Sequence, residues 1–413
     1  MTLDHLGIAV DSPAAQQLFA GLLGAAPYKS ETVAREGVRT VFFGDGGAPR
    51  AAPKLELLEA LGPDSPVAAF LGKRGPGLHH IAFRVDRLER EMARVRALGI
   101  RTLADAPRPG ADQTEIVFLH PKDTGGVLVE LVAFRRAPRE TVTVPWRDGV
   151  AAHVSGPEAA PTLVALHGAL GSTELETDRL IRFWERRFRV VGLDLPGHGA
   201  SAAVAGVPTW TDYADAVRAA FDHLALRDVR LFGFSLGAGV ALAVAAAEPA
   251  RVARLAVHAQ NVRWRPDEVA RMIDPMEPQR LAAEHPFWAQ RLAETHGDDA
   301  GGAPRWPALA EQVRAFTRAL PEQHLSDAAL AAVRQPTLVS AGAADRFFDV
   351  QHAVDVWRAL PDADLWVLPG VDHPIQTVDA RAFAARVADH LDGAVADGAA
   401  RPHSPAEAMR REV

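Results

Sequence analysis

The 413-residue sequence contains no cysteine. This absence excludes disulfides, thiolate metal sites and a cysteine nucleophile together, and it fits a reducing compartment. No excess of positive charge is present either: 45 basic residues stand against 52 acidic ones, a formal charge of −7. A broad nucleic-acid surface would show as a basic excess or stripe, so nucleic acid is not an expected partner. The most apolar long stretch, Leu231 to Ala247, carries Ser235 and several glycines and reads as a buried strand, turn and helix, not a membrane span. The opening MTLDHLGIAVDS has no basic segment before an apolar one. No signal peptide is read, and the expected location is cytoplasmic.

What is present is material for two folded domains. The chain is 48% hydrophobic and 23% charged, as a globular protein is, and longer than one core ordinarily serves. Residues 1–135 read as short strands with two helical patterns; from about 161 long buried strands alternate with helices. Between them Arg135-Arg136-Ala137-Pro138-Arg139 is charged and holds a proline, which predicts a linker over 136–141. The tail 394–413 lacks apolar periodicity and is expected to be poorly ordered.

The first half repeats itself. LDHLGIAV at 3–10 aligns with LHHIAFRV at 78–85, which sets His5 over His80. KLELL at 54–58 aligns with LVELV at 128–132, which sets Glu56 over Glu130, and the two His-to-Glu separations agree within one residue. Helical patterns at about 13–23 and 88–98 each end in a glycine, Gly24 and Gly99, placed as a C-cap. Each repeat thus reads strand–helix–strand–strand–strand. A lone strand histidine or glutamate is ordinarily a solvated side chain. Four in one register instead predict a cleft lined by two imidazoles and two carboxylates, a set that suits Mn, Fe, Co, Ni or Zn.

The strings DHLGIAV, SPVAAFLGKRGPGLHHIAF, PRPGA and FLHPKDTGGVLVEL resemble the methylmalonyl-CoA epimerases of the vicinal oxygen chelate (glyoxalase) superfamily, over nearly all of 1–135. The resemblance implies His5, Glu56, His80 and Glu130 as metal ligands. It also implies inversion of the carbon between a thioester carbonyl and a carboxylate, through a metal-stabilised enolate, with proton carriers on both faces. Some members place a carboxylate three residues after the glycine of a GV-x-E strand. Here Gly37-Val38-Arg39-Thr40 puts Thr40 there, and threonine is no base near neutral pH. Glu115 is expected to take that role beside Glu130. Setting Thr40-Val41-Phe42-Phe43 against Glu115-Ile116-Val117-Phe118 gives the His5-to-His80 offset, which would aim Glu115 into the cleft. The competing reading of Glu115 is a solvent-facing strand glutamate.

The second half carries a nucleophile. Gly233-Phe234-Ser235-Leu236-Gly237 is a G-x-S-x-G motif between an apolar strand and an alanine-rich helix, the context of a nucleophile elbow. Asp345 follows the apolar run of QPTLVSAGAADRFF, and His373 follows that of LWVLPGVDHPIQ. The order Ser235, Asp345, His373 resembles an α/β-hydrolase over about 142–393. The oxyanion hole is expected from the backbone N–H groups of Ala169 and Leu236. Asp349 and Asp372 are rival acids placed less directly after a strand; His167 and His198 are read as loop supports. A polar helical region at about 262–325 with Trp264, Phe287, Trp288 and Trp306 is expected to cap the site, its aromatics mainly packing within the cap.

The expected architecture is therefore a paired βαβββ domain of the α+β class followed by an α/β-hydrolase with a helical cap. The expected function is metal-dependent epimerisation of an acyl thioester together with Ser-Asp-His hydrolysis of an ester or thioester. Two alternatives remain open: a glyoxalase-type isomerase with a thioester hydrolase, or a metal-free binding domain attached to a hydrolase. Small acyl thioesters or esters are the expected partners, with no membrane partner and a homodimer compatible with the sequence.

Overall fold

A computed structural model of the chain describes residues 1–44, 53–85, 87–112, 114–135 and 138–393. Arg136 and Ala137 of the expected linker, and the tail from 394, lie outside the described residues. The chain divides into two compact units at the junction of residues 136 and 137.

In the first unit the strands are β1 (Thr2–Val10), β2 (Lys29–Val33), β3 (Val38–Phe43), β4 (Lys54–Ala60), β5 (Gly77–Arg84), β6 (Arg108–Pro109), β7 (Thr114–Leu119) and β8 (Val129–Phe134). They form one sheet in the order β2-β3-β4-β1-β5-β8-β7-β6, which reads symmetrically outward from the central β1–β5 pair. That symmetry is the sequence repeat made spatial. Helices α1 (Ala14–Leu23) and α3 (Leu88–Ala97) follow the first strand of each repeat. In α3, Leu88, Met92 and Val95 recur at helical spacing and bury against Val117, Leu131 and Ala133. Ile8 and Val10 of β1 pack with Ala15, Phe19 and Ala20 of α1 on the corresponding side. The alternate residues of the sheet are left to form a cleft. A helix not foreseen in the repeat pattern, α2 (Pro66–Arg74), starts at Ser65, whose side chain caps Val67 N–H, and Val67 packs on Ala9, Val38 and Leu58.

The second unit holds β9 (Glu140–Val144), β10 (Val150–Ser155), β11 (Thr162–Leu166), β12 (Arg189–Leu193), β13 (Val229–Phe234), β14 (Val252–His258), β15 (Thr337–Gly342) and β16 (Ala363–Leu368). Their order is β16-β15-β14-β13-β11-β12-β10-β9, parallel from β16 to β12, with β10 and β9 added antiparallel. Both faces of the central strands are covered, and their residues are accordingly mostly apolar and buried, whereas the edge strand β9 is polar and largely exposed. On β11, Val164 and Leu166 enter one core while Leu163 and Ala165 enter the other. The first core takes α5 (Trp210–His223), α6 (Leu236–Ala247) and α12 (Val350–Ala359); the second takes α4 (Asp178–Trp184) and α13 (Ala380–Asp392). Between β14 and β15 the chain makes α7 (Pro266–Ile273), α8 (Pro278–Glu284), α9 (Pro286–His296), α10 (Trp306–Arg318) and α11 (Asp327–Ala332). Leu281, Leu292, Trp306, Leu309 and Val313 give this insertion its own small core.

Candidate active sites

The cleft of the first unit has a volume of about 300 Å³. Gly7 of β1 lies opposite both His80 of β5 and Glu56 of β4, and Glu130 of β8 lies opposite Ala82 of β5. The His80 ring rests directly on Gly7, where a Cβ would fall 2.2 Å from the imidazole. His5 Nε2 is 3.0 Å from His80 Nε2, 3.2 Å from Glu56 Oε2 and 3.3 Å from Glu130 Oε2. His80 Nε2 is 3.5 and 3.8 Å from the same two oxygens. All four residues are buried and converge on one point.

The electrostatics of the cluster call for a positive charge there. Burial opposes the imidazolium of His5, but hydrogen bonds with Asp4, Glu130 and Glu56 prevail and push its pKa up to about 12. Asp4 was not foreseen from sequence. Its Oδ1 lies 2.9 Å from His5 Nδ1, and Arg84 binds its other oxygen, which directs His5 Nε2 inward. Burial would raise Asp4, yet the His5 hydrogen bond and Arg84 hold it down to about 2. Burial and the neighbouring His5 and His79 keep His80 well below the usual imidazole range, so it is neutral. Two imidazole nitrogens and two carboxylate oxygens, spaced as donors at about 2.0–2.2 Å from a shared ion would be, fit a divalent cation.

Glu115 is not in this cleft. The pairing of β7 with β8 sets Phe118 opposite Glu130, just as that of β3 with β4 sets Phe42 opposite Glu56. The spatial counterpart of Thr40 is therefore Ile116, one residue beyond the sequence alignment, and both line the cleft. Glu115 lies opposite Ala133, whose side chain packs with α3 on the other face. A shift of one residue reverses the face of every strand side chain. Thr40 is buried and donates to Glu31 O. Two further carboxylates in the cleft each meet a cation: Glu36 pairs with Arg108, and Asp112 with Lys29 and Lys54.

In the second unit Ser235 sits between β13 and α6 with φ 51° and ψ −114°, a left-handed backbone that a non-glycine residue adopts only under constraint. The constraint is close packing: Ser235 N–H donates to His258 O, and Gly237 N–H to His167 O. A Cβ on Gly237 would fall 2.5 Å from that carbonyl oxygen. His373 Nδ1 is 2.9 Å from Asp345 Oδ2, while Asp345 Oδ1 accepts the N–H groups of Phe347 and Phe348. The rival acids are engaged elsewhere: Asp349 caps α12 and Asp372 pairs with Arg346. Ser235, His373, Ala169 and Leu236 line one cavity of about 350 Å³. Among the described residues neither Ala169 N–H nor Leu236 N–H has a protein acceptor. His167 accepts Leu195 N–H and so supports a loop. Of the cap aromatics, Trp264 and Trp288 line the cavity, Trp306 packs inside the cap and Phe287 is exposed.

Glu176 is the residue here that the sequence did not signal; it stands in the buried π-helical turn Thr173–Thr177. Its Oε2 accepts Gly168 N–H at 2.6 Å, and a Cβ on Gly171 would fall 2.2 Å from that oxygen. The carboxyl thereby braces the loop that carries Ala169. Burial pushes its pKa up to about 8, partly offset by the Gly168 N–H.

The first unit is a chelate-type βαβββ domain and the second an α/β-hydrolase. The chain belongs to the alpha/beta hydrolase fold family, matched over residues 161–380, and its N-terminal domain to the Glyoxalase/Bleomycin resistance protein/Dioxygenase superfamily, matched over residues 4–118. Over 131 residues it is 40% identical to the mitochondrial methylmalonyl-CoA epimerase of Homo sapiens, covering 31% of this chain and 72% of that protein. Over 132 residues it is 38% identical to the ethylmalonyl-CoA/methylmalonyl-CoA epimerase of Cereibacter sphaeroides, covering 31% of this chain and 95% of that protein. A serine hydrolase from Cycloclasticus zankles shares the fold of the second domain, with a TM-score of 0.56 at 16% identity over 63% of this chain and 100% of that one.

Two outcomes follow from this geometry. Gly7→Ala drives a methyl group into the His80 ring and is expected to destabilise the N-terminal domain by about 1–3 kcal/mol, as overpacking does; domain-resolved thermal unfolding measures it. For Glu176 the folded pKa lies above the unfolded one, so the folded state keeps a proton that the unfolded chain has lost. Stability of the hydrolase domain should fall as pH rises from the ordinary carboxylate range to about 8. Glu176→Gln, which keeps an acceptor for Gly168 N–H, should flatten that slope in denaturant titrations at pH 5, 6.5 and 8.

Proposed function

We propose that the chain is a fusion of two enzymes: a metal-dependent epimerase of methylmalonyl-CoA or a similar acyl thioester over 1–135, and a serine hydrolase of esters or thioesters over 142–393. The convergence of His5, Glu56, His80 and Glu130 on one buried point supports the first activity. These residues would hold a divalent ion of the Mn, Fe, Co, Ni or Zn group. Bound there, it would supply Lewis-acid stabilisation of the negative charge that develops on a thioester oxygen. Asp4 keeps His5 oriented, and the cleft excludes bulk water from the buried donors. Glu130 is the carboxylate we assign to remove the proton from the carbon between the thioester and the carboxylate. With Thr40 in place of a carboxylate and Glu115 on the opposite face, the second proton carrier is not a side chain of either foreseen position.

In the hydrolase domain Ser235 Oγ is the nucleophile and His373 the general base. Asp345 fixes the base through Nδ1, and the N–H groups of Ala169 and Leu236 stabilise the tetrahedral oxyanion. The observation that supports this assignment is the short Asp345–His373 contact beside a strained serine and two unengaged N–H groups. The N-terminus of α6 adds favourable electrostatics where negative charge forms.

Ser235→Ala should lower ester hydrolysis by about 10⁴-fold or more while leaving the bound metal unchanged. Residual activity within tenfold of wild type would refute the assignment. Chelation followed by desalting should abolish epimerisation of methylmalonyl-CoA and spare ester hydrolysis, with activity restored by one of the five metals. A single carboxylate base further implies that solvent deuterium enters one stereoisomer faster than that isomer inverts. Equal rates of exchange and inversion, followed by mass spectrometry and chiral assay, would require a second efficient carrier.

A further inference from the structure

We propose that the hydrolase cavity binds an uncharged, apolar acyl chain or ring and rejects acyl groups bearing a free carboxylate, so that the malonyl-type thioester of the first domain is not its substrate. This rests on Ser235 being the nucleophile. The walls around Ser235 and His373 are built by Trp210, Trp264, Met272, Met276, Trp288 and Phe316. At about 350 Å³ the cavity is near the small end of the about 300–1,000 Å³ typical of small-molecule sites. Among the described residues that line it there is no lysine or arginine. Its ionisable groups are His373, committed to Asp345, and Glu176.

A carboxylate brought into such a space would lose its water and find no cation to pair with, a large penalty. Glu176 brings no positive charge to the wall, and its Oε2 is already engaged by Gly168 N–H. Gln260, Thr317 and Gln376 are the neutral polar groups of the wall and can orient an ester without balancing a charge. The cleft of the N-terminal domain differs in carrying cations on its walls, Lys54 and Arg108, which pair with Asp112 and Glu36. Each domain therefore selects a different acyl class. Their fusion does not pass one acyl group from the first site to the second.

The test compares acyl groups that differ only in the charge. Hydrolysis by the full chain is measured for p-nitrophenyl hexanoate against mono-p-nitrophenyl adipate, and for isobutyryl-CoA against methylmalonyl-CoA. The neutral member of each pair should have a kcat/KM at least 100-fold higher. Met276→Lys, which adds a cation to the wall, should narrow the p-nitrophenyl ratio at least tenfold. In Ser235→Ala, hexanamide should perturb the fluorescence of the cavity tryptophans at concentrations where adipic acid monoamide does not. Cleavage of the carboxylate members within tenfold of the neutral ones, or equal binding of the two amides, would overturn the proposal. Hydrolysis that survives Ser235→Ala would instead overturn the nucleophile assignment, and the amide titration would still decide the selectivity.

Discussion

Both sites depend on backbone approaching other groups more closely than a Cβ would permit. At the centre of the first sheet the His80 imidazole lies on Gly7, and this contact is what lets the two histidine nitrogens of the repeat meet at 3.0 Å. A side chain at position 7 would push His80 out of the cluster, and the two carboxylates would lose a shared partner. In the hydrolase domain Gly237 lies against His167 O, which draws the start of α6 onto the end of β11. That approach sets the Leu236 and Ala169 N–H groups beside the same cavity and holds Ser235 in its left-handed conformation.

The two domains handle buried charge in opposite ways. The first gathers it: two carboxylates, an imidazolium and Asp4 line one cleft, with Arg84 bound to Asp4, each group compensated by the next. Such a cluster is favourable only when something positive sits among the oxygens, and a buried ion pair left incomplete is strongly destabilising. The second domain disperses charge away from its cavity and keeps one carboxylic acid there, braced by a single N–H. Because water is largely excluded in both, each retained charge acts at short range with little screening.

Epimerase relatives match the first domain at 38–40% identity, and a serine hydrolase shares the fold of the second. The first domain brings together the His5, Glu56, His80 and Glu130 of its sequence repeat but has Thr40 and Ile116 at the two cleft positions where symmetry could have supplied carboxylates. Neither of those two positions offers a group that could take up a proton near neutral pH.

Much of this was legible in the sequence because it depends on local order. Strand period, the glycine-flanked elbow, and acids and histidines at strand exits follow from short-range geometry, and the repeat carried the pairing of His5 with His80 and Glu56 with Glu130. What depends on packing was not. The facing of Glu115 turned on a one-residue difference in the third strand of the repeat, invisible in a linear alignment but decisive because side chains alternate across a sheet. Asp4 behind His5, and Glu176 under the loop that carries Ala169, have no sequence signature: each acquires its contacts only when the folded chain packs around it. The cap aromatics divided between cavity wall, cap core and solvent for the same reason. Sequence by itself determined the two folds and the residues able to do chemistry; the tertiary structure decided which of them face one another, because burial and register belong to the folded chain alone.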